Sequence, residues 1–417
     1  MAVELDLPAA HSVPAGFLWG ATRARIKASG NADVALALAP AAATAAAMFT
    51  SNRVVAAPIT VGRRHLATTG GRIRAVLVNS GNANCATGQP GIEGSIASCV
   101  AVAENFGCIF DEVLPSSTGI IGVPFPAEKV VAAIPALKAA TGESAAHAES
   151  FARAIMTTDT RVKIASAAVA VSDPESSSED RREFSIWGCA KGAGMIGPRL
   201  GPPHATMLVY LFTDIAADPA ALRSALAAAA GPSFNSISID GDTSTNDTVL
   251  LLASGASGIS LTRELTPAFD AALAEVCHSL ARQIVADGEG VTHLVTLDVR
   301  GAATAQDARL VARAIAHSPL CKTAWSSGDP NWGRLIAAAG YSGANFSPEK
   351  TRIWIGDQPV FEYGLRAPAF DEAAAHGAML APEYTITIDL GDGAGTCQFL
   401  TCDLTVDYVH INADYST

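Results

Sequence analysis

Positive charge is scarce in this sequence of 417 residues, in which 28 Lys and Arg face 40 Asp and Glu. The formal net charge of −12 leaves no basic surface that would attract nucleic acid or anionic lipid, so neither is expected as a partner. No apolar run approaches the roughly 20 residues that a membrane helix needs. The N-terminus also lacks a basic start followed by an apolar core, so a secretory signal is not predicted. The composition fits a cytoplasmic enzyme that acts on small molecules.

The eight cysteines lack the spacing that metal sites and disulfide frameworks use. They form no Cys-x-x-Cys pair and no Cys/His ligand pattern, so we expect reduced thiols and no metal. The Gly-rich segment "KGAGMIGP" does not contain a Walker A loop. The segment "DGDTSTNDT" lacks the glycine and distal glutamate positions of a calcium-binding EF-hand loop.

Helices and strands are mixed along the chain without the regular alternation of a doubly wound sheet, which favours an α+β, layered α/β fold. β-branched and aromatic content predicts strands at 74–79, 162–171, 207–212, 248–254, 293–299, 385–390 and 398–404. Apolar residues three and four apart predict helices at 128–140, 219–230, 269–288 and 305–318. The polar stretch 172–183 is predicted to be a loop or hairpin tip between two strands.

Short polar segments between these elements could build a site. In one of them the sequence changes abruptly from polar turn residues to an apolar strand. In "RLGPPHATMLVYLFTD" a Gly-Pro-Pro turn is followed by Ala205 and Thr206 and then directly by an apolar strand. Threonine is common in strands, so the local pattern alone indicates a structural Thr206.

Taken together, the polar motifs of the sequence indicate a functional role for Thr206 rather than a structural one. The segments "VNSGNANCATG", "SSTGIIG", "AIMTTDT", "KGAGMIGP", "HATML", "SFNSISIDGDTSTNDTVLLLASG", "DPNWGRLIAAAGYSG" and "INADYST" occur in this order. They resemble the ornithine acetyltransferase family from near "GFLWGATRARIK" to the last residue. The resemblance implies transfer of acetyl from N-acetylornithine to glutamate in arginine biosynthesis. It also implies mixed sheets packed together in an Ntn-hydrolase-like, self-processing architecture, with cleavage between Ala205 and Thr206 into chains 1–205 and 206–417.

Cleavage would make Thr206 a catalyst. A new N-terminal threonine carries its own base, an α-amine with a reference pKa of about 8, which can take the hydroxyl proton as the oxygen attacks an acetyl carbonyl. An acetyl-Thr206 ester forms, ornithine leaves, and the amine of glutamate attacks the ester. This ping-pong route requires neither a metal nor an organic cofactor.

The resemblance also implies the remaining site residues. Thr118 and Gly119 would donate hydrogen bonds to the oxyanion through a hydroxyl and a backbone N–H. The substrate contacts would be Thr158, Lys191, Thr206, Glu289, Asn412 and Thr417. Thr157 competes with Thr158 for its role. A lysine suits an α-carboxylate, and a glutamate suits an ammonium.

Two departures from the family pattern, and several alternatives, accompany these expectations. "RLGPP" lengthens the link between Lys191 and Thr206, and Ser416 stands where the family often carries Arg.

An aminopeptidase or amidase with water as acceptor would use the same nucleophile, and a scaffold that has lost its chemistry is a further alternative. The sequence leaves open whether acetyl-CoA is also a donor. We expect a main catalytic domain at 1–290 and a smaller α/β region at 291–417, and the resemblance implies an α2β2 assembly.

Overall fold

The computed structural model describes residues 12–171, 182–197 and 207–414. Within these ranges the chain forms two mixed sheets with helices packed against both, which confirms the predicted α+β, layered fold. No helix in the described ranges is long and apolar enough to cross a membrane.

The first sheet is built from residues 18–253. Its strands are Leu18–Thr22 (β1), Val34–Phe49 (β2), Arg72–Asn82 (β3), Val113–Ile120 (β4), Lys163–Val171 (β5), Arg182–Lys191 (β6), Leu208–Thr213 (β7) and Thr248–Ala253 (β8). They lie in the order β4-β3-β2-β8-β7-β6-β5, with β1 paired to β2. The pairs β3–β4 and β7–β8 are parallel, and the other pairs are antiparallel.

The second sheet follows in the chain. Its strands are Leu294–Ala302 (β9), Arg352–Ile355 (β10), Gln358–Glu362 (β11), Leu365–Arg366 (β12), Glu383–Asp389 (β13) and Gly395–Cys402 (β14), in the order β12-β11-β10-β13-β9-β14. The predicted division at residue 290 stays a prediction.

The helices in the described ranges lie between these strands. They are Ala57–Thr68 (α1), Gly88–Phe106 (α2), Ala127–Ala139 (α3), Ala145–Ala154 (α4), Pro219–Ala230 (α5), Thr266–Ala286 (α6), Ala305–Ala316 (α7), Pro319–Ser327 (α8), Trp332–Gly340 (α9), Glu372–Met379 (α10) and Val406–Asp414 (α11).

The apolar run of β7 is explained by burial on both faces. Val209 and Leu211 pack in one core with residues of α5 and α6, whereas Tyr210 and Phe212 pack in another with Phe151 of α4. Successive side chains of a strand point to opposite faces, so a central strand covered on both sides must be apolar throughout. The strand pairs with β6 and β8.

All seven predicted strands and all four predicted helices are present, with ends shifted by a few residues. The predicted loop 172–183 falls between β5 and β6, which are antiparallel neighbours. Its last two residues, 182 and 183, belong to β6, and residues 172–181 lie outside the described residues. The pattern misses β2, because its sequence "VALALAPAAATAAAMF" is rich in alanine, which has little preference for strands.

Candidate active site

One cavity of about 190 Å3 collects most of the site residues that the sequence predicts. Its lining includes six of them, namely Thr118, Gly119, Thr158, Lys191, Glu289 and Asn412. The other three, Ala205, Thr206 and Thr417, lie outside the described residues. Met207 and Leu208, which follow Thr206 in the sequence, also line the cavity.

Thr118 and Gly119 are positioned by strand pairing. In the parallel pair of β3 and β4, Thr118 stands opposite Ser80 and Gly119 opposite Gly81. Gly119 has φ of 130°, and a Cβ added there would lie 2.4 Å from the carbonyl carbon of Gly81. Only glycine fits this position, because the backbone conformation and the close approach both reject a side chain. In isolation the motif "SSTG" resembles a turn or helix entry, but pairing with β3 makes it a strand.

The pair Thr157 and Thr158 lies in the turn that follows α4. Both residues line the cavity, so both candidates for the predicted contact reach the same space. The backbone N–H of Thr157 donates to Asp159 Oδ2 over 2.9 Å, which fixes this turn.

Lys191 ends β6, and in the ladder it stands opposite Leu208, the first residue of β7. Burial lowers the pKa of its ammonium, while the carboxylates of Asp159, Glu289 and Asp247 act in the opposite direction. A partly desolvated ammonium of this kind binds a carboxylate more strongly than an exposed one does, because water screens the attraction less.

Glu289 lies just beyond the end of α6 and faces α11. The side chain of Asn412 donates from Nδ2 to Glu289 Oε2 over 2.8 Å. On the other side, a Cβ at Gly194 would lie 2.5 Å from Glu289 Oε2, so the glycine leaves room for the carboxylate. The glycines of "KGAG" thus serve the site as well as the turn.

The segment 240–247 contributes cavity residues to which sequence reasoning assigned no role: Asp240, Asp242, Ser244, Thr245, Asn246 and Asp247. Asn246 donates from Nδ2 to the carbonyl oxygens of Ala83 and Ser117, at 2.6 and 2.8 Å, and so ties this segment to the Thr118 strand. The motif "DGDTSTNDT" stands out in the sequence, but the two partners of Asn246 lie more than 100 residues away in the chain.

Tyr408 of α11 is a further cavity residue that was not predicted. Its hydroxyl donates to Asp240 Oδ2 over 3.3 Å, and Asp240 also accepts from the N–H groups of Met195 and Ile196. Burial raises the pKa of Asp240 above its usual value. Among the described residues, no group of three or more His, Cys, Asp and Glu side chains is arranged to hold a metal ion.

An ammonium, several carboxylates and a glycine-bounded strand end line one small cavity, which is the kind of site that enzymes use for small charged ligands. Sequence comparison names the family. The ArgJ family model matches residues 18–417, and the chain belongs to the ArgJ family.

Relatives cover nearly the whole chain. The arginine biosynthesis bifunctional protein ArgJ of Geobacter sulfurreducens is 43% identical over 405 residues, which are 96% of this chain and 99% of the relative. The protein of the same name from Thermus thermophilus is 44% identical, over 97% and 99% of the two chains. A crystal structure of arginine biosynthesis bifunctional protein argJ from Bacillus halodurans is 42% identical with a TM-score of 0.47, and covers 48% of this chain and 96% of that chain.

Proposed function

We propose that this chain transfers acetyl from N-acetylornithine to glutamate in arginine biosynthesis. Membership of the ArgJ family supports an acyltransferase, and the relatives' names support this pathway. The observation that carries the proposal is that Lys191 and Glu289, from opposite sides of the 205–206 bond, line one cavity together with Met207.

Self-cleavage between Ala205 and Thr206 creates the nucleophile. The freed amine of Thr206 takes the proton of its own hydroxyl, and the oxygen attacks the acetyl carbonyl of the donor. The Thr206 ammonium returns this proton to the nitrogen of ornithine as the C–N bond breaks, which releases ornithine and leaves acetyl-Thr206. The uncharged amine of glutamate then attacks this ester, releases the hydroxyl and carries the acetyl away, so both halves use one nucleophile and need no cofactor.

Each tetrahedral intermediate carries an oxyanion, for which Thr118 and Gly119 are the donors. The observed geometry supports this role, because Thr118 is nearly fully buried and β4 pairs with β3 up to Gly119. A donor fixed before the reaction needs no reorganisation as charge develops, and each such donor lowers the barrier by about 3 kcal/mol.

The charged lining recognises the amino-acid ends of the substrates. Lys191 binds the α-carboxylate that donor and acceptor share, and Thr158 and Thr417 add hydrogen bonds. Glu289 binds the side-chain ammonium of the ornithine part, and Asn412, already bonded to Glu289, holds that carboxylate in place.

The main alternative is an aminopeptidase or amidase, in which water resolves the acyl-enzyme. It would share the nucleophile and the oxyanion donors, so these residues do not discriminate. Lys191 favours the transferase, because it can bind the α-carboxylate of an amino-acid acceptor, which a hydrolase does not require. The use of acetyl-CoA as a second donor stays open.

We further propose a cytoplasmic enzyme with no nucleic-acid or membrane partner, in which the cleaved chains 1–205 and 206–417 remain together and pair into α2β2. The main catalytic domain would span 1–290 and the smaller region 291–417. The first sheet ends at residue 253 and the second begins at 294, which agrees with such a division.

The test compares N-acetylornithine with acetyl-CoA as donor, with glutamate as acceptor, in the wild type, Thr206→Ala and Thr206→Ser. The wild type should run on a denaturing gel as two pieces, with the second piece beginning Thr-Met-Leu. The alanine variant should stay uncut and inactive, whereas the serine variant keeps a hydroxyl and should retain part of both activities. A fully active single chain, or cleavage of the alanine variant at that bond, would show that Thr206 is not the nucleophile.

A further inference from the structure

Asp159 is a buried carboxylate at which two cavity-lining segments meet. Its side chain has no exposed surface. Oδ1 accepts from the backbone N–H of Gly192 over 2.6 Å, and Oδ2 accepts from the N–H of Thr157 over 2.9 Å. One carboxylate therefore joins the threonine turn to the residue that follows Lys191.

A buried ion cluster extends this connection to a third segment. Lys163 donates from Nζ to Asp159 Oδ1 over 2.6 Å and to Asp287 Oδ2 over 2.5 Å, and all three side chains are almost fully buried. Asp287 also accepts from the backbone N–H of Thr160 over 3.0 Å. Because Asp287 lies two residues before Glu289, the cluster connects the end of α6 to the turn and to the end of β6.

The carboxylate of Asp159 also belongs to the charges around Lys191. The groups that face Lys191 are the carboxylates of Asp159, Glu289 and Asp247 and the ammonium groups of Lys163 and Lys27. Burial would by itself raise the pKa of Asp159, but the two lysines at positions 163 and 191 and the Gly192 amide outweigh it, so the pKa lies well below its usual value. Asp159 is thus ionised at neutral pH and favours the charged form of Lys191.

We propose that Asp159 is a positioning residue for substrate binding: it holds the Thr157–Thr158 turn against the end of β6 and sets the place and charge of Lys191. This inference rests on the proposed function, in which Lys191 binds the α-carboxylate of both substrates. Asp159 lies behind the cavity lining and acts through Lys191 and the turn.

The variant Asp159→Asn removes the charge at nearly constant volume. Its amide can accept from Gly192, but its NH2 group would face the N–H of Thr157 as a second donor, so the turn loosens. We expect KM for N-acetylornithine to rise about tenfold to a hundredfold, the size of one lost charge-assisted hydrogen bond, while kcat stays within about threefold.

The pH profile separates positioning from general loss of structure. With Asp159 neutral, Lys163 and Lys27 still repel Lys191 and the pKa of Lys191 falls further. Carboxylate binding is present below that pKa and is lost as the pH rises through it, so the ratio of variant to wild-type KM should increase as the pH rises from neutral. Asp159→Glu retains the charge but moves it by one methylene, and should raise KM without this pH dependence.

The matched control is Asp214→Asn. Asp214 is also a buried carboxylate that accepts backbone N–H groups, from Ser185 and Ala15, but it follows the far end of β7 and does not line the cavity. Its KM should match that of the wild type at every pH. Rates are expressed per cleaved chain, so a loss of maturation is not mistaken for a loss of binding.

The KM and kcat values of the two Asp159 variants decide whether Asp159 is a positioning residue. A wild-type KM in both Asp159 variants, or a fall in kcat at constant KM, overturns the proposal and leaves the proposed function intact. If Asp159→Asn does not fold, Asp159→Glu decides by its KM alone. A wild-type enzyme that transfers no acetyl to glutamate contradicts the proposed function itself.

Discussion

At the residue scale, the hydroxyl of Thr118 carries the clearest single test of the oxyanion donors. Thr118→Val keeps a β-branched residue of similar size in β4 but removes the hydroxyl. We expect kcat to fall about 100-fold or more, as is typical for one oxyanion donor, with little change in the thermal midpoint. Thr118→Ser keeps the hydroxyl and serves as the control. A wild-type kcat in Thr118→Val would mean that this hydroxyl does not bind the oxyanion.

The residues that the sequence identifies and those it misses differ in what fixes their role. Thr118, Gly119 and Lys191 occur in short motifs that resemble those of a known family, and the resemblance implies their roles. Asn246 and Asp159 receive their roles from partners that only the folded chain supplies: the carbonyl oxygens of Ala83 and Ser117 for one, and Gly192 and Lys163 for the other. A pattern in one sequence does not record the partners of Asn246 or Gly192, which lie far away in the chain, and it does not show that Asp159 and Lys163 are buried together.

At the scale of elements, α11 contributes to the site without contributing to a core. None of its described residues is buried, yet Tyr408 and Asn412 reach the cavity. Deleting residues 406–417 should therefore lower the thermal midpoint by no more than about 4 °C.

The same deletion should reduce kcat/KM for N-acetylornithine at least about tenfold, because it removes the partners of Glu289 and Asp240. Val409→Ala on the same helix changes an exposed side chain and should leave the kinetics unchanged. A truncated enzyme with normal kinetics would exclude α11 from substrate binding.

Elements with a clear hydrophobic periodicity and clear capping residues at their ends were predictable. α7 has an apolar stripe, and the Thr304 side chain caps its start by accepting from the N–H of Asp307, so its predicted first residue, 305, is correct. The alanine-rich β2 has neither a strand composition nor an alternating pattern. Its place between β3 and β8 is set by pairing over long distances in the chain, which local preference does not report.

At the scale of the whole molecule, the strand order predicts that the two pieces of the proposed cleavage stay together. Strands β7 and β8 belong to the piece 206–417, but they lie between β2 and β6 of the piece 1–205. Separation would expose unpaired backbone along β2 and β6 and both apolar faces of β7.

We therefore expect both pieces to co-purify under native conditions and to separate only in denaturant. Native mass spectrometry checks this expectation and the α2β2 assembly together. An active 206–417 fragment on its own would contradict a shared site, whereas a stable αβ unit would contradict only the pairing.

The interleaved strands also bear on how such an enzyme can be encoded. Strands β7 and β8 fill the space between β2 and β6, and a continuous chain holds all four strands at a high effective concentration while the sheet forms. In the proposed self-processing route, the bond between Ala205 and Thr206 is needed during folding and is broken afterwards. Two separate genes divided at this codon would make cleavage unnecessary. They would also remove the covalent link between the two halves during folding, so a single reading frame for both halves is favoured.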